Sequence, residues 1–160
     1  MTPFCGSKVT NMFWAYGYCY NLTGSPVCGS AVTNMNATYY DCRNISGNII
    51  IGPLVTDLNN TFFNCTKIST IVIPNATKRI TYTYMSNICN RGTYNATKLN
   101  IIIENKQTYL DVRTYGTQCF GATFTADAAH AETFVVNGQS FTTKNYAYNA
   151  TKNIYLYCLT

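Results

Sequence analysis

The sequence predicts a mainly β repeat solenoid of stacked coils, closed by a non-repeat C-terminal cap. Three observations lead there. Cys5-Gly6-Ser7-Lys8-Val9-Thr10-Asn11-Met12 returns 23 residues later as Cys28-Gly29-Ser30-Ala31-Val32-Thr33-Asn34-Met35, with one position of eight changed. The unit's end returns as well, in Cys19-Tyr20-Asn21-Leu22-Thr23-Gly24, Cys42-Arg43-Asn44-Ile45-Ser46-Gly47 and Cys65-Thr66-Lys67-Ile68-Ser69. Between these marks, apolar columns keep the same spacing. A fixed period of about 20–30 residues marks a repeat architecture, and a unit this short cannot bury a core without its neighbours.

The first three units occupy residues 1–73 and define the predicted core. Val9, Val32 and Val55 make one column; Met12, Met35 and Leu58 the next. Tyr16, Tyr39 and Phe62 follow, then Cys19, Cys42 and Cys65, then Leu22, Ile45 and Ile68. Val27, Ile50 and Ile73 close the set. The β-branched runs at 48–51 and 71–73 read as strands. Gly24, Pro26, Gly47, Gly52, Pro53 and Pro74 mark the turns around them. Residues 74–121 read as degenerate units. Cys89 falls 24 residues after Cys65, and Gly92 breaks the Leu22/Ile45/Ile68 column. Tyr94-Asn95-Ala96-Thr97-Lys98 and Tyr148-Asn149-Ala150-Thr151-Lys152 are echoes, each leading into an Ile/Leu/Tyr strand. Asn105-Lys106 turns the 101–103 strand into a second one over 108–113, where apolar and polar residues alternate. Residues 122–160 form the capping region. It holds an Ala-rich run over 122–133 with helical character and an Asn137-Gly138 hairpin turn. Ile154–Cys158 is its last strand.

The motif Val55-Thr56-Asp57-Leu58, Phe62-Phe63-Asn64-Cys65, Thr66-Lys67-Ile68-Ser69-Thr70-Ile71-Val72-Ile73-Pro74 resembles the BspA-like class of leucine-rich repeats. The Val-Thr-Asn-Met form of the first two units is similar to variants in bacterial surface proteins and phage structural proteins. The resemblance covers residues 5–74. It implies a leucine-rich-repeat-like fold, a structural or adhesive role, and a Cys19/Cys42/Cys65 column inside the coil. The first unit begins by residue 5 without a polar cap. An uncapped end exposes apolar surface and sheet edge, so this reading expects self-assembly or a place in a larger parent assembly. Residues 1–20 lack the basic start and apolar core of a secretory signal, and no stretch is long enough to insert in a membrane.

Composition narrows the function classes. Charged residues are 11% of the chain, whereas Asn and Thr number 43 and Tyr 14. Such an uncharged polar surface suits an extracellular or virion surface. The net charge of +5 is scattered, without a basic block for nucleic acid. The only His, His130, stands near Asp127 and Glu132, and the six acids show no paired-carboxylate or nucleophile–base spacing. The sequence therefore predicts a non-enzyme with no catalytic residues and no cofactor. The eight cysteines include no Cys-x-x-Cys pair, which argues against a metal site. Their periodicity favours reduced, buried thiols over a disulfide framework, with Cys5–Cys28 and Cys119–Cys158 the pairs that would test this. Asn-x-Ser/Thr sequons stand at Asn21, Asn36, Asn44, Asn59, Asn64, Asn75, Asn95 and Asn149, and two pairs of them are repeat copies of one another.

The candidate contact residues are aromatic. In Phe13-Trp14-Ala15-Tyr16-Gly17-Tyr18-Cys19-Tyr20, Tyr16 belongs to a core column and Trp14 reads as packing over the open end, while Tyr18 and Tyr20 alternate with core positions. Tyr40 and Phe63 form a further column. Trp14, Tyr18, Tyr20, Tyr40 and Phe63 are thus the candidates to meet a protein or glycan partner. The expected function is a non-catalytic structural or adhesive surface module, part of a phage virion (tail, fibre or decoration) or a bacterial surface. It would bind through the solenoid face and assemble through the uncapped N-terminal end. The alternative is a secreted, disulfide-bonded glycoprotein ectodomain, such as a receptor-binding domain of a eukaryotic virus.

Overall fold

A computed structural model describes residues 1–75, 77–92 and 97–160. Strands β1 (Ser46–Ile50), β2 (Lys67–Ile73) and β3 (Leu99–Ile103) precede helices α1 (Lys106–Thr114) and α2 (Gly116–Phe120). Strands β4 (Ala128–Ala129), β5 (Thr133–Val136), β6 (Gln139–Thr142), β7 (Asn145–Asn149) and β8 (Ile154–Cys158) follow. Six strands form one sheet in the order β1-β2-β3-β8-β7-β4. β1, β2, β3 and β8 run parallel; β7 and β4 are antiparallel.

The repeat-solenoid expectation is corrected by this topology. Among the described residues the chain is a small mixed-sheet domain of eight strands and two helices. β8 enters beside β3 from the far end of the sequence, and β7 and β4 extend the sheet antiparallel. The first unit contributes only isolated bridges, Asn11 to Asn34 and Gly24 to Ile45. The 23-residue spacing survives as local pairing between neighbouring segments. Met12, Trp14, Tyr16 and Tyr18 donate their N–H groups to the carbonyls of Asn34, Asn36, Thr38 and Tyr40 at 2.7–3.2 Å. Met35, Ala37, Tyr39 and Asp41 do the same to Asp57, Asn59, Thr61 and Phe63. Leu58, Asn60, Phe62 and Asn64 then reach Tyr84, Ser86, Ile88 and Asn90, a span of 26 residues where the earlier steps span 22. The lengthened step puts Ile88 where Thr61 stood in the step before, so Cys89 is not the counterpart of Cys65.

Two further elements differ from expectation. The segment 108–113 is helical: Asn105 accepts the Thr108 N–H with its side chain, capping α1. Thr108, Tyr109 and Val112 then share the buried face. The Ala-rich 122–133 run yields the exposed two-residue strand β4, paired to β7, because it has no apolar stripe to bury as a helix. The Asn137-Gly138 hairpin joins β5 and β6 as expected, with both residues at positive φ.

The sheet is covered on both faces. Ile71, Ile73, Ile101, Ile103, Leu156 and Cys158 point into the main core with Met35, Leu58, Tyr39 and Phe62. Val72, Ile102 and Tyr157 point the other way, where Val136, Phe134 and Phe141 of the hairpin cover them. Alternation of period two along each strand produces this split. Val32, Val55, Cys42, Cys65, Leu22, Ile45 and Ile68 are buried, as is Met12. Tyr16 and Cys19 are half-buried and pack against the core, and Val9 is exposed.

Candidate functional site

The repeat places two backbone positions per unit in the left-handed region. They are Trp14 and Tyr18 in the first unit, Ala37 and Asp41 in the second, Asn60 and Asn64 in the third, all with φ between 55° and 60°. An L-residue there costs roughly 1–2 kcal/mol, and Asn or Asp tolerates it best. The third unit follows that preference. The first unit breaks it with the two bulkiest choices. Strain of this kind concentrates at functional positions.

A second irregularity sits between them. Gly17 occupies the column of Tyr40 and Phe63, whose rings stack at 4.6 Å and 15°. A methyl at Gly17 would lie 2.7 Å from Trp14 Cζ3 and closer still to Cε3. The indole fills the place where a third ring of that column would stand, 5.1 Å from Tyr40. Trp14 also stacks on Tyr18 at 5.6 Å, and Tyr18 meets Tyr40 edge-on at 5.4 Å and Tyr20 at 6.3 Å. All five candidate aromatics therefore form one continuous surface. Trp14, Tyr18 and Tyr20 are 41%, 52% and 49% exposed, and Tyr40 and Phe63 are half-buried beneath them. A parallel inner column, Tyr16–Tyr39–Phe62, stacks at 5.4 and 5.7 Å and belongs to the core. Its hydroxyls clamp the chain: Tyr39 bonds both peptide groups of Val27, and Tyr16 both of Phe4.

A polar knot flanks the aromatic surface. Buried Asp41 accepts from Arg43 Nε at 2.8 Å and Nη2 at 3.1 Å, and from Asn64 Nδ2 at 2.6 Å. The Arg43 guanidinium holds the Asp41 carboxyl below its ordinary range against the opposing pull of burial, with help from Asn64 and Tyr20. Arg43 also lies over the Tyr20 ring at 5.7 Å. Desolvation, then the nearby Asp41 carboxylate, raises the Tyr20 phenol. Within the knot the one carboxylate is thus matched by one guanidinium. Beside it opens a notch of about 310 Å³ lined by Met1, Tyr18, Cys19, Tyr20, Asn21 and Leu22. A second cavity of about 410 Å³ lies between Phe4, Val9, Met12, Ala15 and Tyr16.

All eight cysteines are free thiols, and neither Cys5–Cys28 nor Cys119–Cys158 is bridged. Cys42 donates to the Tyr16 carbonyl at 2.9 Å and Cys65 to the Tyr39 carbonyl at 3.0 Å, each 26 residues back. Burial pushes the Cys42 thiol up to about 11 and those of Cys89 and Cys119 up to about 12. Such thiols are poor nucleophiles and poor metal ligands. No group of three potential metal ligands occurs among the described residues. His130 stacks on Tyr146 at 4.1 Å and pairs with Glu132 at 2.9 Å. Asp127 is held instead by Tyr109 and Asn145.

The sequon asparagines have structural work. Asn44 donates to the Tyr20 carbonyl, Asn64 to Asp41, Asn149 to the Thr123 carbonyl and Asn36 to Asp57. Asn59 accepts from the Ser86 N–H and Asn75 from the Lys78 N–H. Asn95 lies outside the described residues. Asn21 is exposed at the lip of the notch and, among the described residues, takes no part in such bonds. Thr38 and Thr61, the hydroxyl residues of two sequons, are fully buried; each hydroxyl lies within 2.9 Å of two carbonyls in successive units. That bond explains why these sequons recur with the period.

Sequence reasoning missed Arg91. Its guanidinium is buried and donates to the carbonyls of Thr97, Lys152 and Asn153, tying the start of β3 to the β7–β8 turn. Nothing in its local sequence announces this. Asp41 and Arg43 were missed as a knot; Gly17 breaking the aromatic column was a readable signal for the seat of Trp14 alone. Compared with known families, curated proteins and solved structures, the chain matches none. No helix among the described residues is long and apolar enough to cross a membrane.

Proposed function

We propose that this domain is a non-catalytic surface module that binds a partner through the Trp14–Tyr18–Tyr20–Tyr40–Phe63 face. The carrying observation is that Trp14 and Tyr18 are held exposed in left-handed backbone where the third unit uses Asn. Local preference opposes these residues, so binding is the reason to keep them. Preformed, mutually stacked rings lose little freedom on binding, which favours a recognition role. The resemblance of residues 5–74 to BspA-like repeats supports a phage virion or bacterial surface as its home, and hence an extracellular or virion-surface location. Exposed Phe4 and Val9 beside the 410 Å³ cavity support assembly through that end of the molecule. The buried free thiols and the engaged sequon asparagines weigh against the secreted disulfide-bonded glycoprotein reading.

The test is binding of fluorescently labelled domain to intact bacterial and eukaryotic cells, compared with a Trp14→Ala/Tyr18→Ala/Tyr20→Ala variant shown by circular dichroism to be folded. Saturable binding that the variant loses is expected. Absence of binding to any cell type, or equal binding by the variant, refutes the proposal. Sedimentation velocity tests assembly: a strict monomer at high concentration removes the self-assembly part.

A further inference from the structure

We infer that the notch beside Tyr18 and Tyr20 is a subsite for one sugar ring of a neutral oligosaccharide, an inference that rests on the surface-module reading. The notch has the make-up of a small-ligand site, concave and mostly apolar with a few polar groups. Cys19 and Leu22 form its apolar floor, and the exposed phenols of Tyr18 and Tyr20 rise from its lining. Its volume of about 310 Å³ stands at the small end of the usual range. A pyranose has an apolar face of axial C–H bonds and a rim of hydroxyls. The exposed Tyr18 ring, backed by Trp14, suits the first. The Asn21 amide and the two phenol hydroxyls suit the second, each able to donate and to accept.

Charge selects within this class. The ion pair beside the notch, Asp41 with Arg43, is a two-point contact, and Asp41 is buried. An acidic sugar would have to compete with Asp41 for Arg43. The aromatic face with its one-ring notch suits a ligand that binds ring by ring. Asn21 also heads a sequon, and its Thr23 hydroxyl bonds the Met1 carbonyl; protein made in a bacterial cytoplasm keeps the amide bare.

Trp14 is the chain's single tryptophan and stacks on Tyr18 of the notch, so its emission reports on a ligand bound there. Bacterially made domain is titrated with cello-, chito-, manno- and laminarihexaose, and with a heparin-derived hexasaccharide. A saturable emission shift with at least one neutral hexasaccharide is expected, with Kd of about 0.1–1 mM. Tyr20→Ala and Asn21→Ala should each weaken it about 10-fold or more, as loss of a stacking ring or a hydrogen-bonding amide requires. Asn21 is exposed, so Asn21→Ala should leave melting behaviour unchanged, whereas Tyr20→Ala also removes a ring from beside Arg43 and Tyr18 and should lower Tm slightly. No shift with any neutral sugar, a shift with the sulfated sugar alone, or undiminished binding in both variants overturns the inference. Cell binding that needs the aromatic face but is untouched by the neutral sugars sinks the sugar subsite and leaves the surface module standing. Cell binding indifferent to the aromatic face sinks the surface module.

Discussion

Replacing Trp14, Gly17 and Tyr18 with the residues of the third unit decides whether the aromatic face serves binding or packing. The triple change Trp14→Asn/Gly17→Phe/Tyr18→Asn puts Asn at both left-handed positions, where Asn60 and Asn64 already sit at φ 57° and 58°. Relief of the two strained aromatic positions should return roughly 1–2 kcal/mol each, less a few tenths for Asn itself. The phenyl ring introduced at position 17 extends the Tyr40–Phe63 stack and adds about 1 kcal/mol. Against this stand five ring contacts, of Trp14 and Tyr18 with each other and with Tyr40, of Trp14 with Phe13 and of Tyr18 with Tyr20. At an exposed site they are worth about 0.5 kcal/mol apiece, the low end of the range. The balance is a stabilisation of about 1 kcal/mol, or about 2–4 °C in Tm for a domain of this size. Differential scanning calorimetry at neutral pH measures it, and the labelled-cell assay measures function on the same protein. The expected result is a higher Tm with lost binding, the usual opposition of stability and function at a recognition site. A fall in Tm of the same size would refute the reasoning, because the aromatics would then be holding the fold together.

Gly17→Ala drives a methyl into the indole, so Trp14 should leave Tyr40 and become wetter. Its emission should shift to the red with a loss of about 1–2 kcal/mol from two broken ring contacts, and an unchanged spectrum would contradict the packing described. Arg91→Met removes three bonds from a charged donor to the carbonyls of Thr97, Lys152 and Asn153. Such bonds are worth about 1.5–3 kcal/mol each, and relief of a buried charge offsets several kcal/mol, leaving a net loss of about 2–4 kcal/mol. Thermal melting should fall by about 5–15 °C, and a shift under ~2 °C would show that Arg91 ties nothing. The Cys42, Cys89 and Cys119 thiols, raised to about 11, 12 and 12 from an ordinary 9.0, favour the fold fully below pH 9. That contribution is lost as pH rises from 9 through 11 to 12, so Tm should decline across that window, and these thiols should resist alkylation at pH 7.5 until the protein unfolds. Rapid alkylation of the folded protein would count against their burial.

Pairing between units was legible because it is written in side chains that must touch. Val32 meets the requirement of Val55, and Tyr39 that of Phe62, so a fixed spacing of apolar residues names its own neighbours. Closure of the domain was not legible, because a period specifies the next segment and says nothing about where the chain goes when the period stops. After residue 74 the hydrogen-bonded step lengthens from 22 to 26, and β8 takes the edge that a further unit would have occupied. The 108–113 error has a local cause. Thr-Tyr-Leu-Asp-Val-Arg satisfies alternation and also places Thr108, Tyr109 and Val112 on one helical face, and the Asn105 side chain settles the matter by capping. Arg91 was invisible because its partners are backbone carbonyls, which any residue supplies.

At the candidate site the departures from the repeat say more than the repeat. The aromatic run was plain from residue 13 onward, yet position alone left Trp14 as packing material and Tyr18 as a contact. What joins them is the shared left-handed backbone, which no hydrophobic pattern encodes. A selection for packing alone would have placed Asn at 14 and 18 and an aromatic ring at 17, as in the third unit at 60, 64 and 63. The first unit does the reverse at all three positions at once, and the one Gly in the column is what lets the indole lie flat over it. Gly17 is therefore as much a part of the surface as the rings, because without it the strain at Trp14 would produce no stacked face.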